Sequence, residues 1–142
     1  MRLLVDINVI LDVAFARPGE PASSQVIAAC GRGHDAFVAW HTLATLSYLI
    51  ERQHSAGEAR EFIRGLLGWA DVAPASRTLA QQALDWRMRD FEDALQVAAA
   101  LACGAQCIVT RNERDFRRSP VPALSPEAFA RKHLAVGTSR KP

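Results

Sequence analysis

The chain predicts an α/β protein, a parallel sheet of about five short strands covered on both faces by helices. Three observations carry that expectation. Short apolar, β-rich runs alternate with segments whose apolar residues recur at helical spacing. Parallel strands need crossover connections, which helices usually supply. Carboxylates stand where apolar runs end, at Asp6 after Leu3-Leu4-Val5 and at Asp115 after Cys107-Ile108-Val109-Thr110. With 142 residues, 49% hydrophobic and 23% charged, the sequence fits a single domain with a sizeable core. Its expected extent is residues 1–136, with a disordered tail over 137–142.

Arg2 to Val5 is the first strand, and Val9, Ile10, Val13 and Ala14 after Asn8 have helical spacing. Pro18-Gly19-Glu20-Pro21 breaks the chain before a second helical pattern from Ala22 to Arg32, through Val26, Ile27 and Cys30. Ala36 to Ala39 is a second buried strand. Trp40-His41-Thr42 leads into Leu43, Leu46, Leu49 and Ile50, an apolar helical face with Thr42 placed as N-cap. Ser55, with Glu58 three residues on, forms a capping-box pattern ahead of Phe62, Ile63, Leu66 and Leu67. Asp71 to Pro74 reads as a third strand, at an edge because proline cannot donate to a ladder. Ser76 starts a helix that runs to about Arg87.

Asp90 opens the strongest helix, alanine-rich through Leu95, Val97, Ala98 and Leu101, with a stop at Gly104. Gln106 to Thr110 is the fourth strand. Ser119-Pro-Val-Pro122 breaks the chain again, Ala123-Leu124 adds a short fifth strand, and Ser125-Pro126 supplies the N-cap and first position of a last helix.

A formal charge of +2 does not by itself identify nucleic acid as a partner. Neither a secretory leader nor a membrane-spanning run is evident, so the expectation is a soluble, cytoplasmic protein with no membrane role. Cys30, Cys103 and Cys107 lack the spacing of a zinc or redox motif and read as plain buried thiols.

The acidic islands carry the chemistry. An ionised aspartate is costly to bury unless it is paired or binds a metal. If the first and fourth strands are neighbours at a switch point of the sheet, Asp6 and the Thr110–Asp115 segment converge there. Asp90 and Asp93 lie about one helical turn apart; Asp90 is also a natural N-cap, whereas Asp93 stands on or beside the buried face marked by Ala94, Val97 and Leu101. Glu92 points elsewhere on that spacing and is the weaker candidate. An all-oxygen set favours Mg²⁺ or Mn²⁺ over zinc, and the chemistry such ions support is phosphodiester hydrolysis. Arg111, Arg114, Arg117 and Arg118 beside Asp115, with Arg87 and Arg89 before Asp90, can steer a phosphate backbone. A solvated, salt-bridged face accounts equally well for any one of them.

Leu3-Leu4-Val5-Asp6-Ile7-Asn8-Val9-Ile10-Leu11-Asp12, Asp90-Phe-Glu-Asp93-Ala-Leu-Gln and Ile108-Val-Thr-Arg-Asn-Glu-Arg-Asp-Phe116 together resemble the PIN-domain ribonucleases, the group that includes VapC-type toxins. The resemblance spans residues 2 to about 132. It implies a PIN-like three-layer α/β/α sandwich with a five-stranded parallel sheet, and an acidic Mg²⁺ or Mn²⁺ pocket that cleaves RNA. By that resemblance Asp6, Asp93 and Asp115 are the catalytic, metal-holding carboxylates, with Asp90 as a further metal candidate. Asn8 and Thr110 match orienting polar residues, and Asn112 falls near a position that is often acidic. Thr45 aligns with a glutamate usual in the third helix of the family. Glu51, about 240° further round that helix, does not replace it. Asp90 or Glu92 is a candidate to compensate. RNA contacts fall to Arg111 and Arg114.

Three readings follow. The first is a metal-dependent endoribonuclease, the toxin of a toxin–antitoxin pair, with RNA as substrate, an antitoxin protein as partner and a homodimer as its assembly. The second is a PIN-like RNA-binding or interaction module made inactive by Thr45 and Asn112. The third is a haloacid-dehalogenase-like phosphatase with Asp6 as nucleophile, against which stands Asn8 where that family expects a second aspartate. His41 follows a strand end from which it could reach the pocket, though a helix-entry histidine is more often structural, and Trp40, Trp69 and Trp86 read as core or interface residues. The helix around Leu43 to Ile50, with Leu66, Leu67 and Trp69, carries enough apolar surface for a dimer or partner-helix interface, and core packing accounts for most of it equally well.

Overall fold

Leu3 and Val5 face one side of a central sheet and Leu4 the other, and all three are fully buried. That alternation, the two-residue period of a strand, requires cover on both faces. The computed structural model describes residues 1–134, so the tail expected over 137–142 lies outside the described residues. Strands β1 (Arg2–Val5), β2 (Asp35–Val38), β3 (Ala70–Val72), β4 (Cys107–Val109) and β5 (Ala123–Leu124) form one sheet in the order β3-β2-β1-β4-β5, with every pairing parallel. The helices are α1 (Ile7–Ala14), α2 (Glu20–Ala29), α3 (Trp40–Gln53), α4 (Ala56–Leu66), α5 (Arg77–Asp85), α6 (Phe91–Ala102) and α7 (Pro126–Phe129), the last continuing as a wider π turn over Ala130–Leu134.

On one face Leu3, Val5, Ala36, Val38, Cys107 and Val109 pack with Val9 and Ile10 of α1, Val26 of α2, Leu46 of α3, Leu66 of α4 and Phe129 of α7. On the other, Leu4 and Ile108 pack with Val97 and Ala100 of α6. Ala83 and Leu79 of α5 close on Ala94 and Ala98 behind it. The result is the expected three-layer α/β/α sandwich. α6 is alanine-rich because it is wedged between the sheet and α5, where longer side chains do not fit.

β1 pairs with β4 through Leu3–Cys107, Leu4–Ile108 and Val5–Val109. The strand order therefore reverses between these two, and the crevice at their carboxyl ends is where ligands collect in open α/β sheets. α1 and α3 start directly after β1 and β2, and α6, which runs back to β4, begins at the same edge.

Most caps agree with the sequence: Ser55 accepts from the Glu58 amide at 3.1 Å and donates to Glu58 Oε2, while Ser76 and Ser125 cap α5 and α7. α3 differs. It begins at Trp40 with Ala39 as a cap that offers no side chain, and Thr42 lies inside the first turn, buried. Helix α2 likewise starts at Glu20, earlier than the sequence pattern indicates, because Pro21 occupies a first-turn position that needs no amide hydrogen. A short 3₁₀ helix over Glu113–Phe116 follows β4 without having been expected. The three thiols are buried and unbridged, and burial pushes those of Cys30 and Cys107 up to about 11.

Candidate functional site

Asp6 is the fixed point of the switch-point crevice. It follows β1, its amide donates to the Val109 carbonyl at 2.9 Å, and its side chain is 3% exposed. One carboxylate oxygen caps α1 by accepting from the Ile7 amide at 2.8 Å, and the other accepts from the Thr110 hydroxyl at 2.9 Å. Thr110, fully buried after β4, also accepts from the Asn112 amide at 3.1 Å, so its hydroxyl is held in one orientation. Asn8 adds a side-chain hydrogen bond that favours the ionised form of Asp6. Burial outweighs these, and Glu92 adds repulsion, so the Asp6 carboxyl is pushed up to about 6.

The first turn of α6 brings three more carboxylates to the crevice. Asp90 caps the helix, its Oδ1 accepting from the Glu92 amide at 2.9 Å. Asp93 is pushed up to about 7, first by burial and then by the charges of Glu92, Asp90, Asp115 and Asp6. Glu92 corrects the spacing argument: it faces the crevice closely enough to raise both Asp6 and Asp93. Its Oε1 contacts His41 Nε2 at 2.9 Å and accepts from Gln96 Nε2 at 2.9 Å, and Gln96 Nε2 also donates to Thr42 Oγ1 at 3.2 Å. The His41 contact in particular holds the Glu92 carboxyl below the usual range. His41 and Thr42 therefore belong to a network that positions Glu92. Of the two residues weighed as compensation for Thr45, Glu92 acts on Asp6 through its charge and Asp90 is engaged as a cap.

Asp115, at the third position of the 3₁₀ helix, joins Arg89, Asp90, Phe91 and Asp93 around a cleft of about 430 Å³. Asn112 precedes that helix and is exposed. Thr45 is exposed on α3, and its hydroxyl turns back to the His41 carbonyl at 3.4 Å rather than toward the carboxylates. Among the described residues, no three Asp, Glu, His or Cys side chains form a closed metal-ligand group. Asp6, Asp93 and Asp115 thus share an electrostatic field rather than a finished coordination sphere. The donors are all oxygens, and Asp6 and Asp93 hold their protons more tightly, first through burial and then through neighbouring carboxylate charge, which a hard divalent cation would offset.

The two arginines assigned to RNA fare differently. Arg111 is a structural clamp, contrary to expectation. Its Nε donates to Asp12 Oδ2 at 2.6 Å, its Nη1 to Glu127 Oε1 at 2.6 Å and Oε2 at 2.8 Å, and its Nη2 to the Gly19 carbonyl at 2.6 Å and Ser23 Oγ at 2.9 Å. A guanidinium has five N–H groups, and all five are engaged. Arg114 is exposed and lines a basic cleft that shares Arg89 and Asp115 with the acidic one. Sequence reasoning missed both the His41–Glu92 contact and the Asp12–Arg111 pair. Each joins residues far apart in the chain, and only the Asp12 of the opening motif hinted at the second.

Of the apolar surface weighed as interface or core, Leu46, Ile50 and Leu66 are buried in the core, while Tyr48 and Leu67 are 58% and 48% exposed; Trp40, just ahead of it, is 66% exposed. No described helix is long and apolar enough to cross a membrane.

Comparison with known proteins places this geometry in a family. The structure is similar to VapBC2 from Rickettsia felis bound to a DNA fragment from its promoter, with a TM-score of 0.70 and 16% identity over 88% of this chain and 98% of that one. VapBC-1 from nontypeable Haemophilus influenzae gives 0.71 and 17% over 89% and 99%. A toxin–antitoxin complex from Klebsiella pneumoniae gives 0.69 and 20% over 87% and 97%. No curated protein matches by sequence. A family model described as the PIN domain matches residues 2–114, which include Asp6, Glu92, Asp93 and Thr110. The chain belongs to the PIN domain family.

Proposed function

We propose that the chain is a Mg²⁺- or Mn²⁺-dependent endoribonuclease and the toxin of a toxin–antitoxin pair. The observation that carries this reading is the concentration of uncompensated carboxylate charge on Asp6 and Asp93 at the sheet's switch point, in a chain of the PIN domain family. The similar structure from Klebsiella pneumoniae is a toxin–antitoxin complex, and those from Rickettsia felis and Haemophilus influenzae are VapBC2 and VapBC-1, which supports an antitoxin partner here. Exposed Trp40, Tyr48 and Leu67 offer apolar surface for a homodimer or that partner.

Asp6, Asp93 and Asp115 would hold the cation, with Asn112 able to add a neutral oxygen. When bound, the cation supplies positive charge to a scissile phosphate and lowers the pKa of water at the site. Asp6 stays in place through Thr110 and the α1 amide, while Asp93 and Asp115 are the more accessible side chains, free to adjust. Asp93, whose carboxyl is pushed up to about 7, would have to be ionised to hold the cation. Glu92, steered by His41 and Gln96, supplies the negative charge that Thr45 lacks. Asp90 keeps the α6 turn in register.

The second reading, a binding module without activity, draws on the absence of a closed ligand group among the described residues. One experiment separates the two. Purified protein stripped of any antitoxin is incubated with mixed RNA in Mn²⁺ beside an Asp6→Asn variant. The nuclease reading expects RNA loss with the wild type alone; intact RNA in both samples rejects it.

A further inference from the structure

The end of β5 and the start of α7 grip the segment that carries Asp115 at three points. The Thr110 amide donates to the Leu124 carbonyl at 2.9 Å, and the Arg111 fork holds Glu127 at 2.6 and 2.8 Å. Between these contacts the Ser125 amide donates to Glu113 Oε1. Leu124, Ser125 and Glu127 thus bind three of the six residues from Thr110 to Asp115. The α7 side of the contact is firm. Ser125 caps the helix by accepting from the Ala128 amide at 3.2 Å, and Phe129 is fully buried in the core of the sheet.

On the other side is the 3₁₀ helix Glu113–Phe116. With three residues per turn, side chains at i and i+3 lie over one another, so Glu113 and Phe116 share a face. Both are anchored: Phe116, 3% exposed, packs in the core on the α6 side, and Glu113 reaches α7. Asp115 lies off that face and lines the cleft with Asp90 and Asp93. Burial of Phe116 is non-directional, whereas the Glu113 hydrogen bond is directional and sets the rotation of the turn. The same stretch holds Asp6. The Thr110 hydroxyl donates to Asp6 Oδ2 and accepts from the Asn112 amide, and the Asn112 carbonyl accepts from the Asp115 amide at 3.0 Å. A slip of this turn would move Asp115 and loosen the Thr110–Asp6 pair together.

We infer that Glu113 is a positioning residue of the acidic crevice: its hold on Ser125 sets the 3₁₀ turn that presents Asp115 and, beside the Arg111–Glu127 pair, makes the start of α7 part of the site. The inference rests on the metal-dependent reading of that crevice. Groups behind a metal-holding side chain orient it and tune its affinity, and Glu113 does so without touching the cation.

The test measures Mn²⁺ binding and amide exchange rather than cleavage. Free Mn²⁺ is followed by its electron paramagnetic resonance signal as wild type, Glu113→Ala, Glu113→Gln and, as a remote control on α4, Arg64→Ala are titrated. Melting temperatures establish that each is folded. Glu113→Ala removes the charge and the acceptor, whereas Glu113→Gln removes the charge and keeps an oxygen for the Ser125 amide. Glu113→Ala should bind Mn²⁺ about tenfold more weakly, the low end of what losing such a partner costs. Glu113→Gln should stay within about threefold of wild type, and Arg64→Ala should match it. In EDTA, deuterium exchange across residues 110–117 should be about tenfold faster or more in Glu113→Ala, the worth of a hydrogen bond to a charged acceptor, while α4 exchanges unchanged.

Unchanged Mn²⁺ affinity in Glu113→Ala would overturn the inference, and a lower melting temperature beside it would make the contact a stabilising one only. Glu113→Gln as weak as Glu113→Ala would also overturn it, because the loss would then follow the charge of Glu113 and not its hold on Ser125. Wild type that binds no Mn²⁺ rejects the metal-dependent reading, and exchange in EDTA then decides the positioning by itself: faster in Glu113→Ala alone supports it, unchanged in both variants overturns it.

Discussion

Two groups of carboxylates are anchored in the same stretch of chain, six residues apart at Asp6 and Asp12, and the fold treats them oppositely. Asp12 is 5% exposed and fully answered: Arg111 and Ser23 both donate to its Oδ2, and Arg111 goes on to Glu127. Asp6 is buried to the same degree and answered only by neutral donors, while Glu92 and Asp93 bring more negative charge toward it. Neutralisation marks the structural group, which ties α1, α2 and α7 to the end of β4. Withheld neutralisation marks the candidate site, where a cation and a phosphate are expected to complete the balance.

Removing the clamp should break its half of the comparison most severely. Arg111→Ala leaves Asp12 as a buried charge without a partner, and urea unfolding should show a loss of about 3–5 kcal/mol. A small loss would mean that Asp12 takes up a proton or water at little cost. Gly19 tests the same clamp from the backbone side. A Cβ there would stand 2.6 Å from Arg111 Cζ and 2.7 Å from Asp12 Oδ2. Arg111 cannot move aside without releasing the Gly19 carbonyl, so Gly19→Ala should cost about 1–3 kcal/mol by the same measurement. Stability equal to wild type would show that the clamp is looser than its hydrogen bonds indicate.

The carboxylate half should respond to pH instead. Asp6 and Asp93 bind protons more tightly folded than unfolded, at about 6 and 7 against an ordinary aspartate value of 3.8. Between those limits the native state holds more protons, so their contribution to stability, complete below about 4, is lost as pH rises through 6 and 7. Asp93→Asn resembles the protonated form at every pH. In EDTA its melting temperature should match wild type near pH 4 and exceed it by pH 8. An equal gap at both pH values would place the cause outside Asp93 ionisation. This effect is the smallest of the three, because Asp93 is only partly buried and solvent screens it.

The fold was legible where one element carries its own pattern. Leu3-Leu4-Val5 and Ile108-Val109 are too apolar and too short for anything but buried strands, and the alanines of α6 announce a helix squeezed between layers. Asp90 declared itself as a cap because capping is local. Thr42 misled for the same reason: a threonine near a helix start looks like a cap, yet its hydroxyl serves Gln96, which is 54 residues away. The clamp and the Glu92 network were illegible because they depend on the sheet order. Arg111 stands beside the Asp115 island in sequence and reads as an RNA contact, but its partner Asp12 is 99 residues distant. Helical spacing set Glu92 aside from Asp93, yet its charge acts on Asp93 and Asp6 alike. Spacing could not show that His41, from the start of α3, meets the Glu92 carboxylate.

The most direct test of the withheld-charge account is the melting temperature at pH 7.5 during titration with Mn²⁺. Wild type should rise and saturate with binding, gaining about 2.7 kcal/mol when free Mn²⁺ reaches a hundred times its Kd, while folded Asp6→Asn and Asp93→Asn should not respond over the same range. A wild type indifferent to Mn²⁺, or an Asp93→Asn protein that rises equally, would contradict it.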